Sequence, residues 1–151
     1  MDELSRERAI QLLVESRVGH LGVISRGEPY VSPISYVVLD DALYVRTGRG
    51  RRIDAVAESP RVCVEVSQTD PQAGSWESVI VWGEAEVVTD DRTEQKVIMA
   101  ILEKYRDVMG SPLTPGSVFP DPGVVLRIPI EELSGRSSGS LFSAKSRPGR
   151  L

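Results

Sequence analysis

Between Val18 and Thr47 the chain is written as three extended runs separated by turn residues: "VGHLGVIS", Arg26-Gly27, "PYVSPISYVVL", Asp40-Asp41 and "ALYVRT". Turns this short join antiparallel neighbours, because a parallel crossover needs a dozen or more residues. The segment is therefore a meander, which excludes a helix bundle and a wholly parallel α/β sheet. Within the second run Pro33 has no N–H to give, so that strand belongs at an edge or carries a bulge, with neighbouring backbone groups left free.

Three further runs extend the pattern. In "RVCVEVS" Val62, Val64 and Val66 alternate with Arg61, Cys63 and Glu65, a half-buried strand by its period of two. In "WESVIVWGEAEVV" the inward positions are Val79, Val81, Ala85 and Val87, with Glu84 and Glu86 outward. "QTDPQAGS" is the loop between them, and "VVLRIPI" forms a last strand.

Three helices interrupt the strands. Ser5 caps the first, with Ala9, Leu12 and Leu13 at helical spacing; Ile53, Val56 and Ala57 mark a second before Pro60. The third, capped by Thr89 or Asp90, runs from about Arg92 to Tyr105 and carries Val97, Ile101, Leu102 and Tyr105 as its buried stripe. Gly110 to Gly123 is crowded with Pro and Gly and reads as an irregular connection.

Six strands and three short helices predict a mainly β fold with helical additions, a small antiparallel barrel. With 151 residues the chain is one domain. Residues 1–135 form it, and 136–151, polar and basic, read as a mobile tail.

The net charge of -4 and a pI near 5.1 give no overall field toward nucleic acid or an anionic membrane. One cysteine, Cys63, and one histidine, His20, leave no transition-metal site and no disulfide. The reading is a cytoplasmic protein, since no secretory leader and no run of about 18 apolar residues is present.

Against that acidic background "RTGRGRR" places Arg46, Arg49, Arg51 and Arg52 on one turn. Arg51 and Arg52 fall at a helix N-terminus, where a cation opposes the helix dipole and an incoming phosphate reverses the sign. Two readings stay open from the residues alone, a phosphate site and a solvated basic turn. The stretch is no dinucleotide fingerprint, because Ile53 stands at the third glycine position, and no Walker lysine is present. Gly135 to Gly139 matches G-x-S-x-G without the strand-turn-helix context of a nucleophile elbow. His20, Cys63 and the Glu84/Glu86 pair each read more simply as strand residues than as catalytic ones.

In order along the chain, "VGHLGV", "GEPYVSPISYVV", "LYVRTGRGRRIDAVAESPRVCVEV", "SVIVWGEAEVV" and "LRIPIEELSGR" resemble the flavin-binding split-barrel family related to pyridoxamine 5'-phosphate oxidase. The resemblance spans Ser5 to Arg136. It implies a six-stranded antiparallel split β-barrel that forms a homodimer, with FMN in clefts between the subunits. It also implies that Ser32, Pro33, Ile34 and Ser35 face the isoalloxazine through backbone groups and that Arg46 and Thr47 line the cofactor. Arg51 and Arg52 would take its phosphate, and Ser78 and Val79 would reach it from the opposite subunit.

Two positions depart from the family pattern: Arg52 replaces a frequent lysine, and Arg46 a frequent histidine. The C-terminal strand also lacks the histidine of true pyridoxine-phosphate oxidases, so that oxidation is not expected. The implied function is a flavin-dependent oxidoreductase acting on a small-molecule substrate, with no catalytic residue assigned. The alternatives are a deazaflavin-coenzyme reductase and a non-catalytic flavin carrier. Haem ranks behind both, having only His20 as a ligand, and so does a nucleic-acid module built on the arginine turn and the tail.

Overall fold

The structure, a computed structural model, describes residues 1–109 and 123–139. The expected connection between Gly110 and Gly123 and the tail beyond Gly139 lie outside the described residues. In chain order the elements are β1 (Asp2–Glu3), α1 (Arg6–Glu15), β2 (Gly19–Ser25), β3 (Glu28–Ile34), β4 (Val37–Leu39), β5 (Ala42–Gly48) and α2 (Arg51–Glu58). They continue with β6 (Arg61–Asp70), β7 (Ser75–Glu84), β8 (Glu86–Val87), α3 (Asp91–Lys104), α4 (Arg106–Met109), β9 (Gly123–Pro129) and β10 (Glu132–Ser137).

The meander forms as its turn residues require. Arg26 and Gly27 both take positive φ, the two-residue turn whose twist suits a hairpin, and β2 pairs antiparallel with β3. Asp40, also at positive φ, turns β4 into β5.

Two antiparallel sheets result, with strand orders β1-β10-β7-β6-β2-β3 and β4-β5-β9-β8. Two of the expected strands break and pass from one sheet to the other, and the last is followed by a further strand in the opposite sheet, which opens the barrel into a split one. The second breaks at Ser35–Tyr36, where Tyr36 turns fully inward and β3 gives way to β4. The fifth breaks at Ala85, whose N–H still donates to the Pro60 carbonyl at 2.8 Å, the last rung of the β6–β7 ladder, before β8 pairs with β9 in the other sheet. Past that break the alternation changes phase, so Val87 is 39% exposed rather than inward as expected. The last ends at Pro129, and β10, beyond its expected end, returns beside β7. That strand runs on to Ser137, past the boundary expected after Gly135, so residues 136 and 137 are part of the sheet.

The main core lies between the sheets. Leu21, Val45, Val64, Val66, Val79 and Val81 meet Leu12 and Leu13 of α1 there, all at 1% exposure or less. A smaller cluster of Val37, Val125, Val97, Ile101 and Tyr105 fastens α3 to the four-stranded sheet. Side chains cap α1 and α3: Ser5 accepts from Arg8 N–H at 3.1 Å and Asp90 from Thr93 N–H at 3.0 Å. None of the described helices is long and apolar enough to cross a membrane.

Tyr36 joins the layers. Its hydroxyl donates to the Leu13 carbonyl at the end of α1, and its N–H donates to the Tyr105 hydroxyl at 3.1 Å. Burial pushes the phenol above its ordinary range. Tyr36→Phe keeps the packing but strands the buried Leu13 carbonyl. It is expected to cost about 1–2 kcal/mol, read as a lower denaturant midpoint at unchanged slope; an unmoved midpoint would show that the bond contributes nothing.

Candidate functional site

α2 begins differently from the other two long helices. Gly50 stands at its N-cap without a side-chain hydrogen bond, so its first N–H groups face outward beside Arg51 and Arg52. Arg52 then reaches back across the seam where β3 leaves the six-stranded sheet. Its Nε donates to Ser32 Oγ at 2.8 Å, one terminal nitrogen to Thr47 Oγ1 at 3.3 Å and the other to the Pro33 carbonyl at 2.6 Å.

One guanidinium thus gathers Ser32 and Pro33 of edge strand β3 with Thr47 of β5. Ser32 and Thr47 are buried hydroxyls, 7% and 8% exposed, on strand faces that otherwise carry Ile34 or Leu43 and Val45. A guanidinium has five N–H groups; three are engaged here, and two remain for an anion. Pro33 lies on the edge strand, as a residue without an N–H should.

Arg51 diverges from Arg52. Its Nε donates to Ser25 Oγ at 2.9 Å, and the guanidinium lies 4.1 Å from the Tyr30 ring centre. Tyr30 and Ser32 are two positions apart on one face of β3, so the two arginines lie side by side along that strand.

The other expected residues are spread around this cluster. Ile34 points into the main core, and Ser35 is exposed at the crossing to β4. Arg46 sits on the opposite face of β5 from Thr47, with its guanidinium against Gly123 and a 3.4 Å hydrogen bond to the Thr47 carbonyl. Val79 is wholly buried in the core. Ser78 lies on the outer face of the six-stranded sheet, where it donates to Glu65 Oε1 at 3.1 Å. The second oxygen of Glu65 is 3.3 Å from His20 Nδ1, and His20 pairs with Pro33 across β2 and β3. Within one chain Ser78 therefore reaches the Pro33 edge only through this polar row.

Lys104 was not among the expected site residues. Its ammonium donates to the Tyr36 carbonyl at 3.0 Å and lies 4.0 Å from the Tyr36 ring centre. Burial, then the charge of Arg17, lowers its pKa to about 8. Between about pH 8 and the ordinary value of 10.5, the unfolded chain binds more protons than the folded one, so stability rises with pH across that window. Lys104→Met is expected to remove this rise: between pH 8 and 10 the wild type gains stability relative to the variant. Parallel curves would overturn this account.

Among the described residues, no three His, Cys, Asp or Glu side chains are grouped to hold a metal ion. The donor set at Arg52, a guanidinium with two hydroxyls beside open helix N–H groups, suits a phosphate ester.

Comparison with known proteins agrees with this architecture. The family described as pyridoxamine 5'-phosphate oxidase matches residues 5–137. An FAD-binding protein from Mesorhizobium loti is 31% identical with a TM-score of 0.74, over 91% of this chain and 98% of that one. An FAD-binding protein from Mycobacterium smegmatis is 21% identical, TM-score 0.67, over 90% and 97%. A flavocytochrome from Azotobacter vinelandii is 19% identical, TM-score 0.69, over 87% and 66%. No protein of curated function matches the chain.

Proposed function

The chain belongs to the pyridoxamine 5'-phosphate oxidase family, and we propose that it binds a flavin and acts as an oxidoreductase on a small molecule. The observation that carries this is the position of Arg52, which draws Ser32, Pro33 and Thr47 to one point beside an uncapped helix N-terminus. FMN is the smallest flavin with the phosphate that this cluster calls for. The similarity to an FAD-binding protein at 31% identity supports the flavin as a class.

When bound, a flavin supplies hydride and electron transfer at its ring. The chain's part is to hold and orient it. Arg52 takes the phosphate with the Ser32 and Thr47 hydroxyls, and the backbone of Ser32 to Ser35 offers edge groups to the ring. Arg46 adds positive charge near the end of β5, which favours an electron-rich ring.

The second subunit belongs to this reading. The outer face of the six-stranded sheet exposes Val31 at 65% and Ile24 at 40%. With Gly22, Cys63 and Trp82 they line an apolar depression of about 250 Å³, a surface suited to a like face from a second copy. Such pairing covers the sheet that carries Ser78, so that one subunit's Ser78 can complete the other's cleft. Sedimentation equilibrium tests it: a particle of twice 16.6 kDa is expected, and a monomer at micromolar concentration would overturn it. A reducing, cytoplasmic setting fits the single Cys63.

The decisive experiment is the absorption spectrum of purified protein, followed by mass identification of whatever denaturation releases. A released flavin supports the reading. A colourless protein that takes up no added flavin would sink it. Turnover with a nicotinamide donor then separates an oxidoreductase from a carrier.

A further inference from the structure

The outer face of the six-stranded sheet carries a polar row built from neighbouring strands. His20 of β2 stands beside Pro33 of β3 on one side and Glu65 of β6 on the other. Glu65 Oε2 lies 3.3 Å from His20 Nδ1, and Glu65 Oε1 accepts from the Ser78 hydroxyl of β7 at 3.1 Å. We propose that His20 is the proton donor of the flavin cleft, held for that task by Glu65 and Ser78, and that the acceptor reduced there is a quinone. The proposal rests on the flavin reading above and deepens it, assigning its acid and its acceptor class.

By sequence alone His20 is an ordinary strand residue; its neighbours change that. A carboxylate against one ring nitrogen sets an imidazole's orientation and tautomer, and a carboxylate itself held by a hydroxyl resists swinging away. Nδ1 is the nitrogen so engaged. Nε2 has no partner among the described residues and is the atom left to give a proton. The side chain is 48% exposed, open enough for water to reload it. No other histidine in the chain could take its place.

Position decides what the row can serve. Opposed residues of an antiparallel pair have Cβ atoms about 4.5–5.5 Å apart. The imidazole is therefore one strand spacing from Pro33, whose carbonyl Arg52 holds at 2.6 Å and whose segment offers its backbone to the ring. At the other end of the row Ser78 is the residue that completes the cleft of a second copy. Both ends thus meet a ring position of the flavin reading.

Reduction of a quinone adds one hydride and one proton. The reduced flavin, recharged by a nicotinamide donor, supplies the hydride at one quinone oxygen. His20 supplies the proton at the other: its Nε2–H bond breaks, an O–H bond forms, and the neutral imidazole takes a proton back from water. A quinone fits such a site because it is planar enough to stack on a flavin and carries no charge for Glu65 to repel.

The test uses flavin-loaded full-length protein without a histidine tag and two acceptors. Tetramethylbenzoquinone takes up protons as it is reduced and has no open ring carbon for Cys63 to attack. Ferricyanide takes single electrons and no proton. In His20→Ala, reoxidation of the reduced flavin by the quinone is expected to slow by about 100-fold or more, with the ferricyanide rate held within about threefold. Added imidazole should restore part of the quinone rate. Glu65→Gln, a change at a positioning residue, should slow the quinone reaction less and spare ferricyanide. A further readout needs no turnover: His20 gives the only imidazole signals in the NMR spectrum of cofactor-free protein, and saturating FMN should shift them.

Equal slowing with both acceptors would show a structural role and overturn the proposal. So would an unslowed quinone reaction, a wild type that serves ferricyanide but not the quinone, or imidazole signals that bound FMN leaves unmoved. In each of these cases flavin is bound and the flavin reading stands. Protein that takes up no flavin removes that reading, and this proposal with it.

Discussion

Replacing Arg51 and Arg52 together with alanine is expected to weaken flavin binding by more than 100-fold while lowering the stability of the cofactor-free protein by about 1–4 kcal/mol, a loss after which the fold still forms. Hydrogen bonds to charged groups contribute about 1.5–3 kcal/mol each, and each 1.4 kcal/mol is tenfold in affinity. Losing the two N–H groups that Arg52 still has to offer, with the stacked Arg51 beside it, passes 100-fold on that scale.

The fold loses contacts of its own, including the Arg51 bond to Ser25. Arg52 gives up its bonds to Ser32, Thr47 and the Pro33 carbonyl. Set against that, two adjacent cations no longer oppose the helix dipole, an effect of about 0.3–1 kcal/mol each. Flavin titration and denaturant unfolding without flavin separate the two quantities. Affinity within threefold of wild type would sink the phosphate assignment. Arg52→Lys refines it: one ammonium keeps the charge but cannot reach a serine, a threonine and a carbonyl together. It should bind flavin more weakly than wild type and more tightly than the alanine variant.

The parts of this fold visible in the sequence are those fixed by near neighbours. Arg26-Gly27 and Asp40-Asp41 turn where they stand because the conformation belongs to those residues. Val62, Val64 and Val66 face inward, at 3% exposure or less, because alternation is a two-residue property. Asp90 caps α3 through Thr93, three residues on.

The breaks at Tyr36 and Ala85 were not visible, because each depends on a distant partner. Tyr36 turns inward to meet Leu13 and Tyr105, 23 and 69 residues away. Ala85 ends its ladder opposite Pro60, and the next residues pair instead with β9 of the other sheet. Lys104 escaped notice for the same reason: its partner, the Tyr36 carbonyl, is 68 residues away.

The candidate site was half legible. The arginine turn stood out by charge, but its residues alone could not separate a phosphate site from a solvated loop. A further signal was present in the alternation of the strands. Ser32 shares a face with Tyr30 and Ile34, and Thr47 with Leu43 and Val45, so each puts a hydroxyl where the pattern calls for an apolar side chain. A hydroxyl at such a position needs a polar partner, and Arg52 is that partner for both.

The largest stability effect is expected at Gly83, where the two sheets come closest. β7 passes against the corner between β9 and β10: the Glu131 N–H donates to the Trp82 carbonyl at 3.1 Å, and Glu131 Oε2 accepts from the Glu84 N–H at 2.5 Å. A methyl group on Gly83 would overlap the Pro129 carbonyl oxygen, with the Pro129 carbonyl carbon at 3.1 Å and Glu131 Oε2 at 3.3 Å. The first of these is backbone, so no rotamer change relieves it; the corner must move. Moving it disturbs the return of β10 to β7 and the contact by which the four-stranded sheet closes on the six-stranded one. Gly83→Ala is therefore expected to cost more than about 3 kcal/mol, in the range reserved for overpacking and backbone displacement. For a chain of this length that lowers the thermal midpoint by roughly 6–12 °C. Gly50→Ala is the control, because nothing lies within 4 Å of the added methyl and a poorer cap costs about 1 kcal/mol or less. If both variants melt within two or three degrees of wild type, the corner yields without cost, and the close approach at Gly83 does not hold the sheets together.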